Sequence, residues 1–278
     1  LDFYRKNIKI YYCIYLVMKL KMAVWYFNMV VKKILKFKWK IIWTNKIKTL
    51  VETVMNENYS EKKTYKMIYY LKSRWYVYSL KKDIFYINDP QEGFDENAVM
   101  DKFYWEILRW HCEGYLGKNW YIWWIKALEL NNLDISIPDS IDVINPFKQS
   151  REVVLSSKYV NFKKYTSWET DLYKKLKKFT TTTKIWKHSF NISNIELSIL
   201  ESLYNPLLIN QKYVEEIVKK ILRKYKKNLN TETIVSIIRL GKHHSSINRF
   251  YKICKFIDWD LADKIWDIIK KYSFFIEV

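Results

Sequence analysis

Along this chain the spacing of apolar residues changes period several times, and each change marks an element. Residues 10–31 form a long apolar stretch, interrupted by charge only at Lys19 and Lys21, which predicts a mostly buried helix. Residues 32–48 then read KKILKFKWKIIWTNKIK, with Leu35, Phe37, Trp39 and Ile41 alternating with Lys36, Lys38 and Lys40. A period of two belongs to a strand with one apolar and one cationic face. Residues 74–79 (RWYVYS) and 84–87 (IFYI), with Lys81, Lys82 and Asp83 between them, predict a β-hairpin.

Helical spacing takes over downstream. Residues 96–115 place Val99, Met100, Phe103, Ile107, Leu108 and Trp110 or His111 on one face, and Gly114 and Gly117 mark the end. A second aromatic helix is predicted over 119–130, with Trp120, Trp123, Trp124 and Ala127 together. Thr166-Ser167-Trp168-Glu169 and Ser193-Asn194-Ile195-Glu196 both fit the capping box, so each predicts a helix start. Val214, Ile217, Val218, Ile221, Leu222 and Tyr225 form a stripe, with Lys219, Lys220, Lys224, Lys226 and Lys227 elsewhere around the same helix. Further helices are expected over 231–240, ended by Gly241, and over 245–256 and 260–272.

These elements predict an α+β fold, predominantly helical. It has a small basic strand and hairpin region at the N-terminus, central aromatic helices and a C-terminal helical region. No repeat of 33 to 45 residues recurs, so a helical array is not indicated. At 278 residues, 49% apolar and 18% aromatic, the chain is long and apolar enough to bury a sizeable core.

Charge divides the chain more sharply than hydrophobicity does. Residues 1–82 hold 19 basic and 4 acidic side chains, residues 83–142 hold 4 and 12, and residues 143–278 hold 26 and 13. With turn signals at Asn88-Asp89-Pro90 and Asn145-Pro146, this sets three expected regions. They are a basic helix-and-strand region (1–89), an acidic Trp-rich helical segment (90–145) and a basic helical domain (146–278). The formal net charge of +20 points to a polyanionic partner, because phosphate neutralisation with counterion release is the usual use of such a surplus.

The candidate RNA-binding residues follow from that charge. Lys32, Lys33, Lys36, Lys38, Lys40, Lys46 and Lys48 lie in the predicted ribbon, and Arg74, Lys174, Lys178, Lys242 and Arg249 lie beyond it. A strand of this kind sets lysines along a phosphate backbone while its aromatics anchor it or stack on unpaired bases. The competing reading is a half-buried strand with solvated lysines. The turn Gly241-Lys242-His243-His244-Ser245-Ser246 likewise reads either as a phosphate contact at a helix N-terminus or as a C′ glycine followed by a Ser cap.

Enzyme chemistry lacks its parts. There is no GxGxxG, P-loop or GxSxG, and the four glycines, at 93, 114, 117 and 241, leave little with which to build a phosphate-cradling loop. His111, His188, His243 and His244 show no HxxxH or CxxC companion, so no metal and no cofactor is expected. Cys13, Cys112 and Cys254 are far apart, which fits inert thiols in a reducing compartment. Lys19 and Lys21 argue against a membrane span, since each costs about 2.5–3.5 kcal/mol near a helix centre.

Composition carries one resemblance. Thirteen tryptophans accompany only four glycines, four alanines, four prolines and seven arginines. G/C-rich codons are thus avoided while Trp, normally encoded by UGG alone, is abundant, as in an A/T-rich genome that also reads UGA as Trp. The first residues, Leu1-Asp2-Phe3, suit a chain with a non-AUG start or a trimmed end. In these respects the whole chain resembles the divergent proteins encoded in ciliate mitochondrial genomes, known as subunits of mitochondrial ribosomes or respiratory complexes. The resemblance implies a mitochondrially encoded, non-enzymatic structural component of a mitochondrial ribosome in the matrix. Its basic segments would bind ribosomal RNA, and its acidic segment, which holds Trp105, Trp110, Trp120, Trp123 and Trp124, would bind other ribosomal proteins. The alternative is a peripheral subunit of a respiratory-chain complex, with the basic N-terminal helix lying on a cardiolipin-rich membrane.

Overall fold

The computed structural model describes residues 2–56, 59–146, 149–155, 158–164, 170–204, 211–225, 228–240 and 243–273. Among them are eleven α-helices and nine strands in two sheets, an α+β fold with helix predominant. The chain divides into two compact units, Leu1–Phe103 and Tyr104–Val278.

The N-terminal unit begins with α1 (Asp2–Ile34), which runs into a 3-10 turn at Leu35–Phe37. After it come β1 (Ile41–Trp43), α2 (Thr44–Met55), α3 (Glu61–Ser73), β2 (Val77–Lys81) and β3 (Ile84–Ile87). The sheet order is β1-β3-β2, all antiparallel, with Ile42 opposite Phe85 and Tyr78 opposite Tyr86. The hairpin expected from residues 74–87 is therefore present. Its core joins Val30, Val31 and Ile34 of α1 to Ile47 and Val51 of α2, Ile68 and Leu71 of α3, and Ile42, Val77, Phe85 and Ile87 of the sheet.

Two expectations for this region fail. Residues 35–41 do not form a ribbon: Val30, Val31 and Ile34 seat the end of α1 in the core, so the helix persists, and Trp39 at φ 61° breaks the extended backbone. Only three residues from Ile41 pair as strand. The predicted N-terminal helix forms, but it is not mostly buried, because residues 16–25 are all exposed.

The division between the units falls within α4 (Glu96–Leu116), the first predicted aromatic helix. In the C-terminal unit follow β4 (Tyr121–Ile122), α5 (Trp124–Asn131), β5 (Ser140–Asn145), β6 (Arg151–Leu155) and β7 (Lys158–Lys164). Then come α6 (Thr170–Leu176), β8 (Thr180–Ile185), β9 (His188–Ser193) and α7 (Ile195–Ser202). The last elements are α8 (Gln211–Tyr225), α9 (Thr231–Ile238), α10 (His244–Lys255) and α11 (Trp259–Tyr272). The six strands pair in the order β6-β7-β5-β4-β9-β8, with β4·β9 and β5·β7 parallel and the rest antiparallel. Leu197, Ile199 and Leu200 of α7 join Val218 and Ile221 of α8, Ile237 of α9, Phe250 of α10 and Ile265 of α11 in one core.

This sheet corrects the purely helical reading of the middle and C-terminal regions. Where a helix was expected over 119–130, Tyr121 and Ile122 are fully buried strand residues, both paired with β5 and Ile122 also with β9, and α5 starts only at Trp124. The helix expected at Ser193 starts one residue later. Asn194 is the N-cap and accepts from Leu197 N at 2.9 Å, while Ser193 closes β9 and Glu196 Oε1 accepts from Asn230 N. The other predicted capping box, at Thr166, lies outside the described residues.

The central tryptophans are largely internal. Trp105 is fully buried and donates Nε1–H to Ile135 O, and Trp120 donates to Gly117 O. Such placements satisfy the indole donor while burying its area, which makes these two rings core residues of the unit.

Candidate nucleic-acid interface

Helix α3 starts at Ser60, whose Oγ accepts from Lys63 N at 3.3 Å, and continues without a breaker to Ser73. Thr64, Ile68 and Leu71 recur at i, i+4 and i+7 and are buried, so this stripe seats the helix on the core. Burial of side chains as large as Ile68 and Leu71 contributes about 1.5–3 kcal/mol each. With that face committed, helical geometry turns Lys62, Lys66, Tyr69 and Ser73 outward, with Lys63, Tyr70 and Lys72 beside them. Tyr69 is 67% exposed. The outward surface therefore alternates cations with aromatic rings, and Glu61 in the first turn is the only carboxylate of the helix. Lys66 lies over the Tyr70 ring at 6.0 Å, and Tyr69 and Tyr70 meet edge to face at 5.9 Å.

Neighbouring elements hold this surface in place. Tyr59 N donates to Glu52 Oε1 at 3.0 Å, tying the segment before α3 back to α2. At the hairpin turn Asp83 sits at φ 63°. Its Oδ1 accepts from Tyr65 OH and from Thr44 Oγ1, both at 2.8 Å, and its carbonyl accepts from Thr44 N. One carboxylate thus joins the hairpin tip to the start of α2 and to α3, and the Asp83 bond raises the Tyr65 pKa. Lys81 and Lys82 sit at the same tip, and exposed Trp75, at φ 63°, follows the end of α3. Arg74 packs its guanidinium 4.5 Å from the Phe27 ring centre and leans on Tyr70 at 6.0 Å. Two successive helices, α2 and α3, thus lie between the first strand and the hairpin, and the second of them carries an outward face.

The lysines chosen from sequence density are dispersed. Lys32 and Lys33 end α1, Lys36 lies in the 3-10 turn, and Lys40 is exposed before β1. Lys38 is committed elsewhere, with Nζ 3.0 Å from Asp89 and 2.7 Å from Glu92. Bonding to Glu92 and then Asp89 raises its pKa. Lys46 covers the Phe37 ring, and Lys48 faces Glu52 at 3.8 Å, one helical turn along α2. In the C-terminal unit Lys174 lies 3.9 Å from Asp171, and exposed Lys178 follows in a 3-10 turn. Arg249 is turned inward, donating to Leu203 O at 2.5 Å and Tyr204 O at 2.9 Å. Lys242 lies outside the described residues.

What the density argument passed over is Lys62, Lys66, Tyr69 and Lys72. The signal was the spacing of Thr64, Ile68 and Leu71, which fixes an outward face even though its lysines are interrupted by tyrosines and form no long run.

Other chemistry has fewer supports. Among the described residues no three or more His, Cys, Asp or Glu are grouped to hold a metal ion. Cys112 and Cys254 are buried free thiols, and desolvation pushes Cys254 up to about 12 and raises Cys112 as well. Among the described residues no helix is long and apolar enough to cross a membrane.

No family model matches the chain, and no curated protein matches it in sequence. Among solved structures it is similar to that of RV2827C protein from Mycobacterium tuberculosis. The TM-score is 0.60, over 91% of this chain and 83% of that one, at 10% sequence identity. The likeness is one of fold.

Proposed function

We propose that the N-terminal unit binds double-stranded DNA, with the outward face of α3 in the major groove and the hairpin tip against the adjacent phosphates. The observation that supports this best is the pairing of a buried Thr64-Ile68-Leu71 stripe with a Lys62-Lys66-Tyr69-Ser73 face on one capped helix. B-form DNA has a major groove about 12 Å wide, which admits an α-helix carrying such side chains. The deep, narrow major groove of duplex RNA does not. Lys62, Lys66 and Lys72 serve as phosphate contacts that set register, and Tyr69 and Ser73 reach base edges.

Fluorescence polarisation with the full chain tests this directly. A random B-form duplex is expected to bind with a Kd of about 10⁻⁴–10⁻⁶ M near physiological salt, weakening steeply as salt rises. A clear preference for duplex or single-stranded RNA would refute the groove assignment and return the chain to the ribosomal reading, which shares the phosphate chemistry. Failure to bind either polymer would remove both.

A further inference from the structure

The two sheets end in strands with one free side each, β1 and β2 in the N-terminal unit and β6 and β8 in the C-terminal unit. A free edge offers a row of unpaired N–H and C=O groups, and proteins usually blunt it. Here β1 is only three residues long, β2 shifts register between Ser79 and Lys81, and β6 mixes exposed Arg151 with exposed Glu152. β8 is longer and regular. Its six residues pair with β9 in unbroken register, and four of them are threonine, whose branched side chain suits an extended backbone.

The alternation of an antiparallel pair fixes which of its groups are free. Ile185 and His188 flank the two-residue turn Trp186-Lys187 and so exchange hydrogen bonds, as then do Thr183 with Phe190 and Thr181 with Ile192. The N–H and C=O of Thr182 and Lys184 therefore point away from β9. Among the described residues no strand pairs with β8 on that side and no backbone group bonds to those four atoms. Both residues are exposed. Just upstream the row is closed, because Thr180 donates both N–H and Oγ1–H to Lys177 O.

The free charge around this edge has one sign. Lys175 near the end of α6, Lys178 in the 3-10 turn before β8, and Lys184 within it are exposed and have no carboxylate partner among the described residues. We propose that β8 takes up an extended acidic segment of a partner protein as an added strand. A phosphate chain accepts from the N–H groups but offers nothing to the C=O groups, whereas an extended peptide satisfies both. A second β8 laid antiparallel on the first would turn Lys178 of one copy towards Lys184 and Lys187 of the other, like charge against like. An acidic segment meets the same lysines with opposite charge, which adds rate and register to the backbone pairing.

The probe is a fluorescein-labelled peptide of about eight residues alternating Val and Glu, titrated into the full chain by polarisation. A Kd of about 10–100 µM is expected. The same peptide N-methylated on its backbone amides keeps its charge but cannot pair, and should bind about tenfold more weakly or worse. Lys178→Glu with Lys184→Glu should also weaken binding by about tenfold, while Lys62→Gln with Lys66→Gln on α3 should leave it unchanged. Amide hydrogen exchange supplies the location: the Thr182 and Lys184 amides exchange in the free chain and become protected when the peptide is bound. The proposal is overturned if the methylated peptide binds equally well, if those two amides gain no protection, or if the peptide does not bind. A single-stranded RNA that protects these amides where the peptide does not overturns it too. Peptide binding is read without nucleic acid, so its outcome stands apart from that for α3.

Discussion

The N-terminal unit holds 20 basic and 10 acidic residues in 103 positions, and the C-terminal unit holds 29 and 19 in 175. The surplus is the same, but its disposition differs. In the C-terminal unit several cations are matched locally, among them Lys158 with Asp139 at 2.7 Å, Lys219 with Glu216 at 2.8 Å and Lys187 with Glu106 at 3.4 Å. It even buries a lysine, Lys126, on Glu129 at 2.8 Å and Asp134 O at 3.2 Å. In the N-terminal unit Lys62, Lys66 and Lys72 of α3 have no carboxylate partner among the described residues. Charge absorbed by its own neighbours is architecture; charge left facing water on one rigid helix is available to a partner.

The comparison breaks most sharply at the buried pair. Glu129→Ala strands the Lys126 ammonium and removes the acceptor of Tyr213 OH, so the C-terminal unit is expected to lose about 3–5 kcal/mol in urea unfolding. DNA affinity measured below the transition should not move. Replacing both partners together, Lys126→Met with Glu129→Gln, leaves neither charge stranded and is expected to be closer to neutral for stability.

A second buried carboxyl makes the C-terminal unit sensitive to pH. Glu201 is enclosed, with Oε2 accepting from Ser193 Oγ at 2.6 Å and from Trp124 N at 3.3 Å, and desolvation pushes its pKa up to about 8. Unfolding returns it to its ordinary value of 4.5. Between these two values the folded chain holds a proton that the unfolded chain has released. Stability is therefore greatest below about pH 4.5 and declines by about 1.4 kcal/mol per pH unit toward pH 8, as far as this group is concerned. Glu201→Gln should flatten that slope, and an unchanged slope in its thermal unfolding series would show that Glu201 is not the source.

The surface contrast is tested with charge-matched variants. Replacing Lys62 and Lys66 together by Gln should weaken duplex binding by roughly tenfold and lower the salt slope by about 2. Replacing Lys219 and Lys270 by Gln removes the same net charge from the other unit, and the affinity should hold. Equal losses in polarisation titrations would mean that net charge alone drives binding.

Local signals were legible in the sequence where the energetics are local. The hairpin at residues 74–87, the start of α4 at Glu96 and the stripe of α8 each depend on neighbours a few residues apart. The large sheet was not legible, because Ile122 pairs with Ile192 and Ser140 with Tyr159, across spans that no short period records. The candidate site was half legible. Positive charge in the first 82 residues was plain, but density pointed to residues 32–48, where Lys38 is held by Asp89 and Glu92 from far along the chain. Availability depends on tertiary partners, and only the buried stripe of α3 gives it away.

The smallest expected effect separates the units most cleanly, because the same edit is made in both. Ser60 and Asn194 are N-caps, each accepting from the backbone N–H three residues on, at 3.3 Å from Lys63 and 2.9 Å from Leu197. Replacing either by Ala leaves those donors unsatisfied and costs about 1 kcal/mol. At Asn194 the loss falls on α7, whose residues from Glu196 to Ser202 are all buried, so it appears in unfolding and nowhere else. At Ser60 it falls on the first turn of α3, which carries Lys62 and Lys63, and fraying there blurs the position of those cations against the phosphates. Ser60→Ala should therefore weaken duplex binding severalfold under conditions where the chain stays fully folded, and Ser60→Asp, which restores the cap, should recover the helix. If both Ala variants left affinity unchanged, the start of α3 would not be part of the contact.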